Sequence, residues 1–88
     1  MFDTVEIKDV KNELGLLVKA LRKQRGLSQI QLAKTLDISR TTIQNLEFGK
    51  NFTVDTILKI YKEMDLLTQL ISEITQAKSH VINSKSLY

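Results

Sequence analysis

Residues 27–49 read LSQIQLAKTLDISRTTIQNLEFG, a text for two short amphipathic helices with almost no chain between them. Ser28 can cap the first, with Gln31 three residues on as in a capping box. Ile30, Leu32, Ala33 and Leu36 supply its buried side. Asp37 stands where the chain must turn sharply with positive φ, a conformation Asp tolerates better than most residues that carry a Cβ. Ser39 caps the second helix. Its inward residues are Ile43 and Leu46, with Phe48 at the core edge, and Gly49 ends it. The other side of this helix carries Arg40, Thr41, Thr42, Gln44 and Asn45. Such side chains can hydrogen-bond to base edges and phosphates, and a short braced helix armed with them fits the major groove of DNA.

Outward from this pair, the flanking text is also helical. Asp9 can cap a helix over Val10 to Gln24, in which Val10, Leu14, Leu17, Val18 and Leu21 form one apolar stripe. Gly26 is a stop signal after it. Thr53 caps a helix running to about Met64, with Val54, Ile57, Leu58, Tyr61 and Met64 at helical spacing. Leu67, Leu70, Ile71 and Ile74 suggest a fifth helix. With no Pro and three Gly, the expected fold is all-α, a five-helix domain. Phe2, Val5 and Ile7 alternate weakly and suggest an edge strand. The tail from Lys78 to Tyr88 is rich in Ser and Lys and reads as flexible. The expected organisation is an N-terminal arm at 1–9, a helical domain at 10–77 and a flexible tail at 78–88.

A chain of 88 residues makes one small domain with a marginal core, the kind that often relies on a partner subunit. It has no Cys, so a disulfide framework and a thiolate metal site are excluded. No apolar run approaches the ~20 residues that span a bilayer. The mixed, partly acidic start MFDTVEIKDV argues against a secretory signal. A cytoplasmic protein is the expectation. The net charge of +3 is unevenly spread. Residues 1–18 carry −2, residues 51–88 balance, and residues 19–50 hold seven cations against two carboxylates, a net +5. The basic excess thus coincides with the helical pair, as a phosphate-binding surface requires. His80 is the sole His and has no carboxylate cluster beside it. Asp3, Glu6 and Asp9 read as a solvated acidic stretch. No His is placed to activate a Ser, and there is no Gly-rich phosphate loop. Neither catalysis, a cofactor nor a metal is expected.

Counting from Gln29, the small Ala33 comes four positions later, the turn residue Asp37 at eight, and Ile38, Ile43 and Leu46 at nine, fourteen and seventeen. Ala33 lets the two helices approach closely, and the three apolar residues pin the second against the first. This arrangement resembles the helix-turn-helix of the phage-repressor and Cro family, also called the XRE type. The likeness extends through RKQRGLSQ at 22–29, SRTTI at 39–43 and LEFGK at 46–50, and it covers about Leu14 to Ile74. The resemblance implies that Arg40, Thr41, Thr42 and Asn45 reach base edges, with Gln44 beside them on a base or the backbone. It implies that Gln29 contacts the DNA backbone and sometimes a base, and that Lys50 and Asn51 grip phosphates. It also implies a buried structural ion pair between Arg22 and Glu47. The family usually has Gly at the turn, where this chain has Asp37. Independently of the family, the helix starts at Ser28 and Ser39 offer free amides suited to phosphate.

Leu67, Leu70, Ile71 and Ile74 are more apolar than a three-helix core requires. They are expected to form a two-fold dimer interface that sets two recognition helices about one DNA turn, ~34 Å, apart. The function expected is a dimeric repressor on a palindromic operator in double-stranded DNA. Small members of the family also serve as antitoxins, and FTVDTILKIYKEMDLLTQLISEI resembles the corresponding part of the HipB-like ones. That likeness implies a cognate toxin of the Hip kinase type as a further partner. The alternative is a helical protein-interaction module that neutralises a partner without reading DNA sequence.

Overall fold

The computed structural model describes residues 4–86. It contains five helices: α1 Ile7–Gln24, α2 Gln29–Leu36, α3 Arg40–Glu47, α4 Val54–Glu63 and α5 Leu67–Ser86. No strand occurs among the described residues. The all-α, five-helix expectation therefore holds, and the edge strand does not. Val5 lies in the lead-in to α1 and Ile7 opens it, while Phe2 falls outside the described residues. The first helix starts three residues earlier than the sequence suggests, because Glu6 takes the cap position. Asp9 then serves as the third helical residue, its Oδ2 accepting from the Glu6 amide at 2.9 Å.

The core consists of Val18, Leu32, Ala33, Leu36, Ile43, Leu46, Ile60 and Met64, drawn from α1 to α4. Leu21, Leu27, Ile38, Phe52, Ile57 and Leu66 close around it, half-buried. Each fully buried Leu or Ile contributes ~1.5–3 kcal/mol of transfer free energy. Four expected positions differ. Ile30 is 46% exposed and Phe48 73% exposed, because each points away from the seam between α2 and α3. The buried face of α4 is turned relative to the one expected. Thr56, Ile60 and Met64 are inside, and Val54 and Leu58 are outside. Ile60, at four-residue spacing from both Thr56 and Met64, is the fully buried apolar side chain of this face.

The first four helices stop in the same way. A residue in the left-handed region follows each: Gly26 at φ 70°, Asp37 at 56°, Gly49 at 74° and Asp65 at 59°. The next amide then reaches back five residues. Leu27 donates to the Arg22 carbonyl at 3.0 Å, Ile38 to Ala33 at 3.0 Å, Lys50 to Asn45 at 2.8 Å and Leu66 to Tyr61 at 2.8 Å. Each closure satisfies a carbonyl that the helix end would leave open. Asp37 has the positive φ that its place in the turn demands, and Asp65 repeats the device unforeseen.

Gly15 sets the distance between α1 and α3. A Cβ there would stand 2.5 Å from the Leu46 carbonyl oxygen and 2.8 Å from that of Glu47. Only the missing side chain lets the two backbones meet. At the other end of the chain, residues 78–86 belong to α5, where the sequence reading placed a flexible tail. KSHVINSKS has neither Gly nor Pro, so nothing in it breaks the helix begun at Leu67.

Candidate nucleic-acid interface

α3 is held from behind and open in front. Ile43 and Leu46 are fully buried against α1 and α2, whereas Arg40 and Thr41 are exposed. Gln44 and Asn45 are half-buried at the two margins of the same outward face. Thr41, Gln44, Asn45 and Phe48 follow the i, i+3, i+4, i+7 spacing of one helix side. Phe48 therefore continues the polar face as an exposed aromatic. Sequence reasoning assigned it to the core edge, although its distance of seven residues from Thr41 was a signal for the outer side.

Ser39 and Thr42 share the helix start. The Ser39 hydroxyl accepts from the Thr42 amide at 3.1 Å and lies 2.8 Å from the Thr42 hydroxyl. Thr42 is thus turned toward the cap rather than fully outward. Ser28 caps α2 in the same manner, accepting from the Gln31 amide at 3.1 Å while Gln31 Oε1 accepts from the Ser28 amide at 2.8 Å. By the geometry of any helix start, the amides of Gln29 and Ile30 are left for an outside acceptor.

Behind this face lies a charged lock. Arg22 Nε donates to Glu47 Oε2 at 2.7 Å and Nη2 to Oε1 at 3.0 Å, and Nη1 donates to the Leu27 carbonyl at 2.8 Å. The side chains are only 10% and 4% exposed. The hydrogen bond to Glu47 raises the Arg22 guanidinium further above its ordinary range, against the opposing effect of burial. Gln29 joins the lock, its Nε2 donating to Glu47 Oε1 at 3.2 Å. The residue expected on the DNA backbone is therefore half-buried and partly committed to positioning α3, with its amide oxygen left for other partners.

Lys50 is exposed on the loop after α3. Asn51 is exposed too, and its Oδ1 accepts from Lys11 Nζ at 2.6 Å. Lys11 was not anticipated here. It lies 40 residues away in sequence and one helical turn before Gly15 on α1. The close approach at Gly15 is what brings it to this loop, and no local pattern announces that. The basic segment also needs revision. Of its seven cations, Arg22 is spent on Glu47, and Arg25 on the Glu63 carbonyl at 2.9 Å and Asp65 at 3.4 Å. Lys19, Lys23, Lys34, Arg40 and Lys50 remain exposed. Among the described residues no cluster of His, Cys, Asp and Glu could hold a metal ion, and no helix is long and apolar enough to cross a membrane.

Leu67, Ile71 and Ile74 are exposed, at 39%, 59% and 52%, and Leu70 is half-buried. With Leu58 they line an open apolar groove between α4 and α5.

Two short helices joined by three residues and packed on a common core, the second presenting a polar face, define a helix-turn-helix scaffold. The chain belongs to the helix-turn-helix family: the family model of that description matches residues 18–66. The chain is also similar to the HTH-type transcriptional regulator PrpR of Mycobacterium tuberculosis, with 35% identity over 65 residues. That match takes in 73% of this chain and 13% of the relative, so the chain spans a small fraction of the curated protein's length. The resemblance to the XRE type read from LSQIQLAKTLDISRTTIQNLEFG is thereby established at the level of the family.

Proposed function

We propose that this protein is a transcriptional repressor that binds double-stranded DNA sequence-specifically as a dimer on a palindromic operator. The observation that carries this reading is the two-sidedness of α3, with Ile43 and Leu46 fully buried behind Arg40 and Thr41 in the open. A helix braced in this way can hold four or five side chains at fixed positions in the major groove. Arg40 is the candidate for a two-donor bond to a guanine edge, Asn45 and Gln44 for adenine, and Thr41 for a thymine methyl. Phe48 extends that apolar contact. Thr42, Ser39 and Gln29 stand at the helix starts, where amides and side chains meet phosphate. Lys50 and Asn51 hold the backbone from the following loop. Repression follows from occupancy, since a dimer seated across the operator obstructs the polymerase.

The test begins with selection from a random duplex pool, which defines the preferred site. Arg40→Ala, Thr41→Ala and Asn45→Ala combined should then abolish the preference in a mobility assay, a loss of two to three orders of magnitude or more at ~1–3 kcal/mol per lost base contact. Retention of the wild-type preference by the triple variant would overturn the assignment.

A second apolar groove favours an additional protein partner. Val5, just before α1, and Val10, Leu14 and Leu17 on α1 line it, with Asp9 and Glu13 at its edge; Leu17 also borders Leu70 and Glu73 of α5. It supports the reading as antitoxin and autorepressor of a toxin–antitoxin operon, with a Hip-type kinase as the toxin. Co-expression with the product of an adjacent kinase-like reading frame should give a stable complex, and Val5→Asp with Val10→Asp, both exposed at 60% and 50%, should dissolve it while leaving DNA binding intact.

A further inference from the structure

α5 is 20 residues long, about 30 Å at 1.5 Å per residue. Yet residues 71–84 are all exposed, and Leu70 is the one half-buried residue between Leu67 and Ser84. A lone helix projecting into water gains little from its own hydrogen bonds, so most helical stability must come from a packed apolar face. α5 has such a face. Leu67, Leu70, Ile74, Ala77 and Val81 succeed one another at intervals of three, four, three and four residues. That is the a/d seam of a heptad, with Leu67, Ile74 and Val81 at a, and Leu70 and Ala77 at d. Leu67 is 39% exposed, Ile74 52% and Val81 52%. The seam continues past residue 77, beyond what any closure of the subunit's own core could use.

We infer that α5 pairs along its whole length with α5 of a second copy of this chain, in a parallel two-stranded coil that extends to at least Val81. The flanking charges select this occupant and its direction. Glu73 falls at g and Lys78 at the following e. In a parallel pair the g residue of one strand faces the next e of the other, so Glu73 meets Lys78 of the other copy, twice by symmetry. β-Branched Ile74 and Val81 at a, with Leu70 at d, suit two strands rather than three. Ile71, at e, widens the seam toward Leu58 and joins it to the groove between α4 and α5. This inference deepens the dimer proposed above and takes from it only that two copies associate.

The chain has no Cys, so single cysteines report on the pairing directly. Val81→Cys should form a disulfide-linked dimer under mild oxidation in the absence of DNA, because a parallel two-fold brings the two a positions side by side. Ile82→Cys, at b on the far side, should not. An antiparallel pair or a monomer would leave Val81→Cys uncross-linked, and that result overturns the inference. In sedimentation, Glu73→Lys should raise the dimer dissociation constant about tenfold, and Lys78→Glu added to it should restore the wild-type value. A dimer indifferent to both changes also overturns it. Neither measurement involves DNA, so failure of the operator-selection experiment would remove the repressor reading and leave this one standing.

Discussion

Arg22 and Glu47 occupy the least forgiving spot in the molecule. Both are nearly buried, and each satisfies the other through two hydrogen bonds. Such a pair adds little over a well-packed apolar substitute, but removal of one member leaves a charge stranded. Arg22→Ala should therefore destabilise the fold by ~3–5 kcal/mol in denaturant titration. Arg22→Met with Glu47→Leu should recover most of that loss. Because its guanidinium is raised in the folded state, the contribution of Arg22 is complete below the ordinary Arg range and fades only above it. Its share of the stability should be flat from neutral pH up to that range. Gly15 is the second such spot, for a steric reason. Gly15→Ala would push a methyl into the backbone carbonyls of Leu46 and Glu47. Overpacking of that kind costs ~1–3 kcal/mol, which thermal unfolding would register as a clear drop in Tm. The first of these spots was legible in the sequence through the family resemblance. The second was not, because a glycine inside a helix shows its purpose only when the opposing backbone is in place.

At the scale of elements, the sequence is informative wherever a signal is local. Ser28, Ser39 and Thr53 cap as their spacing dictates, accepting from Gln31, Thr42 and Thr56 at 3.1, 3.1 and 3.2 Å. Asp37 turns left-handed where the short connection between α2 and α3 leaves no other path. Signals that depend on a neighbour are ambiguous in the sequence. α4 carries apolar residues around much of its circumference, so periodicity alone could not say which side faces α2. The structure buries Ile60 completely and leaves Leu58 38% exposed. The two positions therefore make a matched pair of probes. Ile60→Ala should cost ~2–5 kcal/mol by loss of transfer energy and creation of a cavity. Leu58→Ala should cost far less in the stability of the isolated subunit and should instead weaken association of two copies. If both lower the unfolding midpoint equally at low protein concentration, the burial assigned to α4 is wrong. The end of α5 is ambiguous in the sequence for a related reason: Ser and Lys are common in tails, and only the lack of a breaker distinguishes KSHVINSKS from one.

For the whole molecule, the charges on the surface and the number of subunits on DNA are linked through one measurable slope. Each phosphate neutralised by a Lys or Arg releases condensed counterions, and log K falls with log salt by ~0.9 per contact. The buried pair with Glu47 keeps Arg22 out of this count. Lys50, exposed beside Asn51 on the loop after α3, should carry one contact in each subunit. Lys50→Ala should weaken binding to all sequences by a similar factor, and it should leave the preference set by Arg40 intact. The size of the slope change then reports stoichiometry. A dimer loses two contacts, so the slope should become shallower by ~1.8, whereas a monomer loses one and changes by ~0.9. Titrations of wild-type and Lys50→Ala protein between low and moderate salt would separate the two. A change near the smaller value would mean that one subunit suffices on DNA, and an unchanged slope would remove Lys50 from the phosphate-binding surface.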